Sequence, residues 1–238
     1  MAKVATKTKS HPAAKAPAPQ GDLIEFFDCE QNSPEWFDLR RGILTASNFK
    51  IILRSGTDGE ASKTRTQLLY RLAGERLTGI TEETFKSDAM KRGHEMEPEA
   101  RAYYARTNFD AVIEHVGFVR RTIVTPLGRK IMVGASPDSK VGPRKGLEIK
   151  TLKPDLLIAQ AKRGTFPPEH RAQTHGTMFV ADWTELDLLL FYRGMPIAPK
   201  YSLIRDEAFV AELVKEIEIF DFDLEMLLKD LKAMGTGR

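Results

Sequence analysis

Two acidic residues and a lysine gather in the middle of this 238-residue chain. Asp138 ends the run Gly134-Ala135-Ser136-Pro137-Asp138, and ten residues later the chain reads Leu147-Glu148-Ile149-Lys150. On a strand, side chains two apart share a face, so Glu148 and Lys150 point one way while Leu147 and Ile149 pack into a core. If this strand pairs with the preceding one, Asp138 arrives beside them. Two carboxylates and a free backbone carbonyl form a hard, all-oxygen donor set, suited to Mg²⁺ or Mn²⁺ and not to zinc. Phosphodiester hydrolysis uses such a set: the cation neutralises a phosphate oxygen, lowers the pKa of a water and stabilises the leaving alkoxide, while a lysine orients or deprotonates that water. The same spacing also occurs in ordinary exposed hairpins. This one differs in being followed by Thr151 and Pro154 and in lying within the most basic stretch of the chain.

Several other chemistries lack their residues. There is no GxxxxGKS/T phosphate loop, no HExxH and no GxSxG nucleophile elbow. Of the five histidines, His11, His94, His115, His170 and His175, none forms a metal-ligand pair at helical spacing; His170 and His175 are five apart and fall on different faces. They read as surface or hydrogen-bonded groups. The single cysteine, Cys29, excludes an intramolecular disulfide and a Cys-rich zinc site, which suits a reducing compartment. No apolar run approaches the roughly 20 residues of a membrane span. A cytoplasmic protein without a membrane partner is expected.

The net charge of +3, from 36 Lys and Arg against 33 Asp and Glu, conceals an uneven distribution. Residues 1–20 carry four lysines and no acid; residues 120–171 hold twelve bases and four acids; residues 206–233 hold nine acids and three bases. A basic middle is the footprint of a polyphosphate-binding surface, or of a solvated face.

Periodicity supplies the elements that must hold these groups. Residues 1–21, rich in Ala, Lys and Pro and without an aromatic, cannot offset the entropy of ordering and are expected to be disordered; residues 22–238 are expected to form one domain. Ser33, Pro34 and Glu35 start a helix that stops near Gly42, and Thr45 can cap a second carrying Phe49, Ile52 and Leu53. Ser62 opens a third, and a fourth spans about 88–106 with Met90, Ala100 and Tyr104 among its buried positions. Strands are expected over 111–119, 130–135 and 147–152, helices over 154–163 and 167–181, and strands over 186–192 and 201–204. Phe209, Leu213, Ile217, Phe220, Leu224, Leu227 and Leu231 then mark a long amphipathic helix. This order implies an α/β fold, a mixed central β-sheet flanked by helices.

Pro137-Asp138 followed by Glu148-Ile149-Lys150 resembles the PD-(D/E)xK nuclease signature, and the surrounding sequence resembles the phage lambda-type exonuclease, or YqaJ-like viral recombinase, family. The run from Trp36 to Ser47 is similar to that family's W-x-x-L-R-x-G-x-x-T-A-S block, and Gly93 to Ala100 to its G-x-x-x-E-x-x-A helix. Ala172-Gln173 matches the A-Q of the helix after the nuclease core. The likeness spans about residues 34–205 with four motifs in order.

The resemblance implies a restriction-endonuclease-like core in which Asp138, Glu148, the Ile149 carbonyl and Glu97 hold one or two Mg²⁺ or Mn²⁺ ions. Lys150 would act on the attacking water, and Glu97 and Gln173 would complete the catalytic set. Arg40, Ser47 and Ser136 would form a pocket for a DNA 5′-phosphate, which is chemically apt because an arginine fork and hydroxyls suit a terminal dianion. Met90 occupies the family's apolar wedge position, although helical spacing alone makes it core; no strand-separating arginine is assigned, Arg54 being the nearest candidate. The implied activity is a metal-dependent 5′ to 3′ exonuclease on linear double-stranded DNA, preferring a 5′-phosphorylated end and leaving a 3′ single strand for recombination. A homotrimeric ring, a single-strand annealing recombinase as partner, and a phage or prophage origin in the bacterial cytoplasm belong to the same implication. An endonuclease of the same superfamily and a non-catalytic DNA-binding protein are the alternatives.

Overall fold

Ser33 begins the first helix as its spacing predicts, its hydroxyl accepting from the Trp36 N–H at 3.2 Å. In the computed structural model, residues 21–53, 62–81 and 88–235 are described, with side chains excluded for 88–90. Residues 1–20 of the expected tail and Arg54 lie outside the described residues, as does the Met90 side chain. In chain order the elements are β1 (Leu23–Phe27), α1 (Pro34–Arg40), β2 (Leu44–Thr45), a 3-10 turn (Ala46–Asn48), α2 (Phe49–Ile52), α3 (Lys63–Thr78) and α4 (Asp88–Thr107). Then come β3 (Phe118–Val124), β4 (Lys130–Ala135), β5 (Ser139–Gly142), β6 (Lys145–Thr151), α5 (Pro154–Arg163), a second 3-10 turn (Pro168–His170), α6 (Arg171–Val180), β7 (Glu185–Phe191), β8 (Lys200–Ile204) and α7 (Glu207–Gly235).

The mixed α/β class holds, with the strands divided between two four-stranded sheets, β1-β3-β4-β2 and β5-β6-β7-β8. Each contains one parallel pair, β2 with β4 and β6 with β7. Periodicity misses β1, and it misses the two-residue β2 and the four-residue β5, which are too short to show alternation. It also places a strand at 111–119 where only a Glu114–Lys140 bridge forms; β3 begins at Phe118, where β1 and β4 flank it. Val112 is left exposed, with no second strand to cover it.

α4 lies across β6 and β7 and buries Met96, Ala100 and Tyr104 against Leu147, Ile149, Leu189 and Phe191, each large apolar side chain contributing about 1.5–3 kcal/mol. Gly146 on β6 is required by contact, since a Cβ there would lie 2.2 Å from the ring of buried Trp183. α7 buries Leu213, Ile217, Phe220 and Leu224. Its acids do not all face water: Asp223 pairs with Arg65 at 2.8 Å and Glu225 with Arg76 at 2.7 Å on α3. The basic middle is likewise largely matched, with Arg120 on Glu25, Arg121 on Asp22, Arg129 on Asp221 and Lys140 on Glu114. Its charge density is therefore much larger than its free positive surface.

A fully buried carboxylate, Asp187 on β7, ties α4 to the sheet: it accepts from the Tyr104 hydroxyl at 2.6 Å and pairs with Lys145 Nζ at 3.0 Å. Burial alone would raise the Asp187 pKa, but hydrogen bonds from Tyr104, Ser202 and Lys145 outweigh it and hold the carboxyl below its ordinary value. Tyr104→Phe keeps the ring and removes the donor, so a loss of about 1–3 kcal/mol in unfolding free energy is expected at neutral pH. A depressed carboxyl stabilises the fold above its unfolded pKa and stops doing so as pH falls through the folded one. The difference between variant and wild type in denaturant melts should therefore shrink below the ordinary carboxylate value of 3.8.

Candidate active site

β5 and β6 form an antiparallel pair with Ser139 opposite Leu147, so Asp138, one residue before β5, falls opposite Glu148. The strand that delivers Asp138 is thus the short β5 and not β4, the neighbour suggested by periodicity. Asp138 Oδ2 accepts from the Ile149 N–H at 2.5 Å, which locks the carboxylate across the pair. Glu148 is 2% exposed, and its Oε1 accepts from Lys150 Nζ at 2.7 Å and from Gln173 Nε2 on α6 at 2.5 Å. Its Oε2 is buried with no hydrogen-bond partner among the described residues. An orphaned buried acceptor costs about 1–3 kcal/mol, and a hard cation is a ligand that would relieve it.

Burial, followed by the charges of Glu148 and Glu97, pushes the Asp138 carboxyl well above the usual carboxylate range. Burial would lower the Lys150 ammonium, but Glu148 and Asp138 more than compensate and its pKa is raised. Two acids that repel each other in a sheltered place, with one lysine between, form a site short of positive charge. The donor set therefore fits a divalent cation through Asp138 and Glu148. Glu97 on α4 stands near but is engaged by Arg101, whose guanidinium also donates to the Asp138 carbonyl at 3.3 Å. Among the described residues no three His, Cys, Asp or Glu side chains converge as a metal cluster. Asp138, Ile149, Lys150 and Glu97 open onto a cleft of about 650 Å³ that Gln31 and His94 also line.

Arg40 and Ser136 are joined through Trp36 at a second place, with Ser47 at the end of a neighbouring strand. β2 runs parallel to β4 with Thr45 beside Gly134, so Ser47 and Ser136, each two residues further on, leave the same end of the paired strands. The Trp36 indole N–H donates to Ser136 Oγ at 2.9 Å, and the Arg40 guanidinium lies 3.8 Å over the Trp36 ring. Trp36 is thus both core, as its type suggests, and the bridge between Arg40 and Ser136. Ser47 is exposed and its hydroxyl lies 3.2 Å from that of Thr45. Burial, then the charge of Arg71, lowers the Arg40 pKa to about 10, with Glu75 opposing. Arg40 stays cationic at neutral pH, and the nearby Glu75 already accepts from the Gly42 N–H at 2.7 Å. A cation partly withdrawn from water and short of counter-charge is a receptor for an anion.

Sequence reasoning missed Arg101 and Arg71. Arg101 is four residues after Glu97 on one helix, a pairing that spacing alone could have raised. Arg71 lies on α3, far from Arg40 in sequence, and no local pattern connects them.

Comparison with known proteins places this geometry among relatives. A family model described as the YqaJ-like viral recombinase domain matches residues 35–184. Among solved structures, the chain is similar to an alkaline exonuclease, LHK-Exo, from Laribacter hongkongensis, with a TM-score of 0.73 and 29% identity over 86% of this chain and 98% of that one. The same enzyme in complex with dAMP aligns with a TM-score of 0.72 and 29% identity over the same shares. A phage-related exonuclease from Haemophilus somnus 129PT shares the fold, with a TM-score of 0.58 and 14% identity over 82% of this chain and 98% of that one. No curated protein sequence matches the chain.

Proposed function

This chain belongs to the YqaJ-like viral recombinase family, and from that premise we propose that it is a metal-dependent exonuclease degrading one strand of linear double-stranded DNA from a 5′-phosphorylated end. The observation that carries the reading is the pairing of two unlike poles in one chain. One is an acid pair with a bare, buried Glu148 Oε2; the other is Arg40 with Ser47 and Ser136 at a strand end. A divalent cation, Mg²⁺ or Mn²⁺, would be held by Asp138, Glu148 and the Ile149 carbonyl, with Glu97 within reach, and would supply phosphate neutralisation and water activation. Lys150 orients the attacking water from its place on Glu148 Oε1. Gln173 holds that same oxygen and so fixes the rotamer that leaves Oε2 open. Arg40 and the two serines grip the terminal phosphate, which sets the polarity 5′ to 3′ and leaves a 3′ strand for recombination. Met90 is the wedge candidate on α4. Residues 22–238 act as one nuclease domain, a homotrimeric ring encloses the duplex, and a single-strand annealing recombinase receives the product. The reaction belongs to the cytoplasm of a bacterial host, and among the described residues no helix is long and apolar enough to cross a membrane.

End-labelled linear duplexes with a 5′-phosphate or a 5′-hydroxyl, incubated with Mg²⁺ or a chelator, test this directly. Nucleotides should be released faster from the phosphorylated end, not at all with chelator, and not from a covalently closed circle. Rapid cutting of the circle would identify an endonuclease instead. Salt-sensitive binding without any release would identify a non-catalytic DNA-binding protein.

A further inference from the structure

Two cationic or hydrogen-bonding side chains, His170 and Lys50, have no role in the proposed mechanism. His170 is the N-cap of α6, and Gln173, the donor to Glu148, follows one turn later, so both stand on the same end of that helix. The His170 ring has no hydrogen-bond partner among the described residues. His175 differs: its Nδ1 accepts from the Asp206 N–H at 3.1 Å and its ring packs on Phe209, which makes it structural. Lys50 is exposed on α2 and pairs with no carboxylate among the described residues. Ser47 precedes it by three residues, one turn back. Phe49, between them, packs on the bare backbone of Gly176, where a Cβ would lie 2.2 Å from the ring. This contact clamps the Ser47–Lys50 turn onto α6. Lys50 is close enough to His170 for its charge to act on the ring, so the groups form a series from Ser47 through Lys50 and His170 to Gln173 and Glu148.

We infer that Lys50 and His170 bind the first internucleotide phosphate of the strand being degraded, the one that is cut, and so space the 5′-terminal nucleotide between the Arg40 pocket and the acid pair. The inference rests on the exonuclease reading and names two substrate contacts within it. A strand released one nucleotide at a time must have its terminal and first internal phosphates held together, and backbone contacts fix such registers. Burial, then the charges of Lys150 and Lys50, lowers the His170 pKa, with Glu169 opposing. At neutral pH the ring is therefore neutral, and it keeps one N–H to donate to a phosphate oxygen.

The full chain carrying Lys50→Ala, His170→Ala or His170→Asn tests this. Binding of a 5′-phosphorylated duplex is measured across salt concentrations in chelator, and nucleotide release with Mg²⁺ from 5′-phosphate and 5′-hydroxyl ends. Lys50→Ala should lower the slope of log affinity against log salt by about one and cut the rate about tenfold. His170→Ala should cut the rate about tenfold at unchanged slope, and His170→Asn, which retains a donor, should recover most of it. The ratio of rates on the two ends should stay at the wild-type value in all three. Wild-type rates and slope in Lys50→Ala and His170→Asn, with wild-type rate in His170→Ala, overturn the inference alone. So does a collapsed end ratio, which would move the residues into the terminal pocket. A wild-type protein that releases no nucleotide overturns the exonuclease reading, and this inference with it. Lys50 is exposed and His170→Asn is conservative, so loss of fold in His170→Ala would leave two variants to decide.

Discussion

Lys150→Ala is expected to lower kcat on 5′-phosphorylated linear DNA by roughly 10²–10³-fold, the range for losing one positioned hydrogen-bond donor at a reacting centre. The neighbouring Arg101 is already committed to Glu97 and the Asp138 carbonyl. KM should change little, because the proposed contacts to the terminal phosphate lie at Arg40 and not at Lys150. Asp138→Asn should be at least as damaging. It keeps the shape and removes the charge that, with Glu148, would attract a divalent ion, and its loss should not be restored by added Mg²⁺. Single-turnover rates in rapid-quench experiments, with melts to verify folding, check both. Near-wild-type turnover in either variant would remove the site assignment from residues 138–150.

Arg40→Ala should reduce kcat/KM on a 5′-phosphorylated end about 10- to 100-fold, the equivalent of roughly 1.5–3 kcal/mol for a charge-assisted hydrogen-bond pair. The rate on a 5′-hydroxyl end should hardly move, so the preference between ends should collapse towards one. Arg40→Lys keeps the charge but loses the planar fork and the stacking on Trp36, and should restore only part of the preference. The measurement is the ratio of initial rates on the two substrates for each variant. An unchanged ratio in Arg40→Ala would show that the terminal phosphate is read elsewhere, with Arg71 the first residue to examine.

Much of this architecture follows from local rules. Ser33-Pro34-Glu35 and Ser62 start helices where capping chemistry places them, and β4, α5 and α7 appear close to where periodicity sets them. Short segments escape such rules: β2 has two residues and β5 four, and neither is long enough for alternation to register. Yet those two strands deliver Ser47 and Asp138. The charge pattern misleads for a related reason. A run of bases says nothing of the acids that pair with it from far along the chain, and Asp22, Glu25, Glu114 and Asp221 do so here.

The sequence by itself determined the chemistry available: the type and order of Asp138, Glu148, Lys150 and Gln173, and the face that Glu148 and Lys150 share, because a strand's side chains alternate whatever surrounds it. Only the tertiary structure decided how that chemistry is poised. Two donors converge on one oxygen of Glu148 and leave the other bare, Arg101 claims Glu97, and Arg71 presses on Arg40. Those are effects of burial and of charges brought together by folding, and neither is encoded in spacing along the chain.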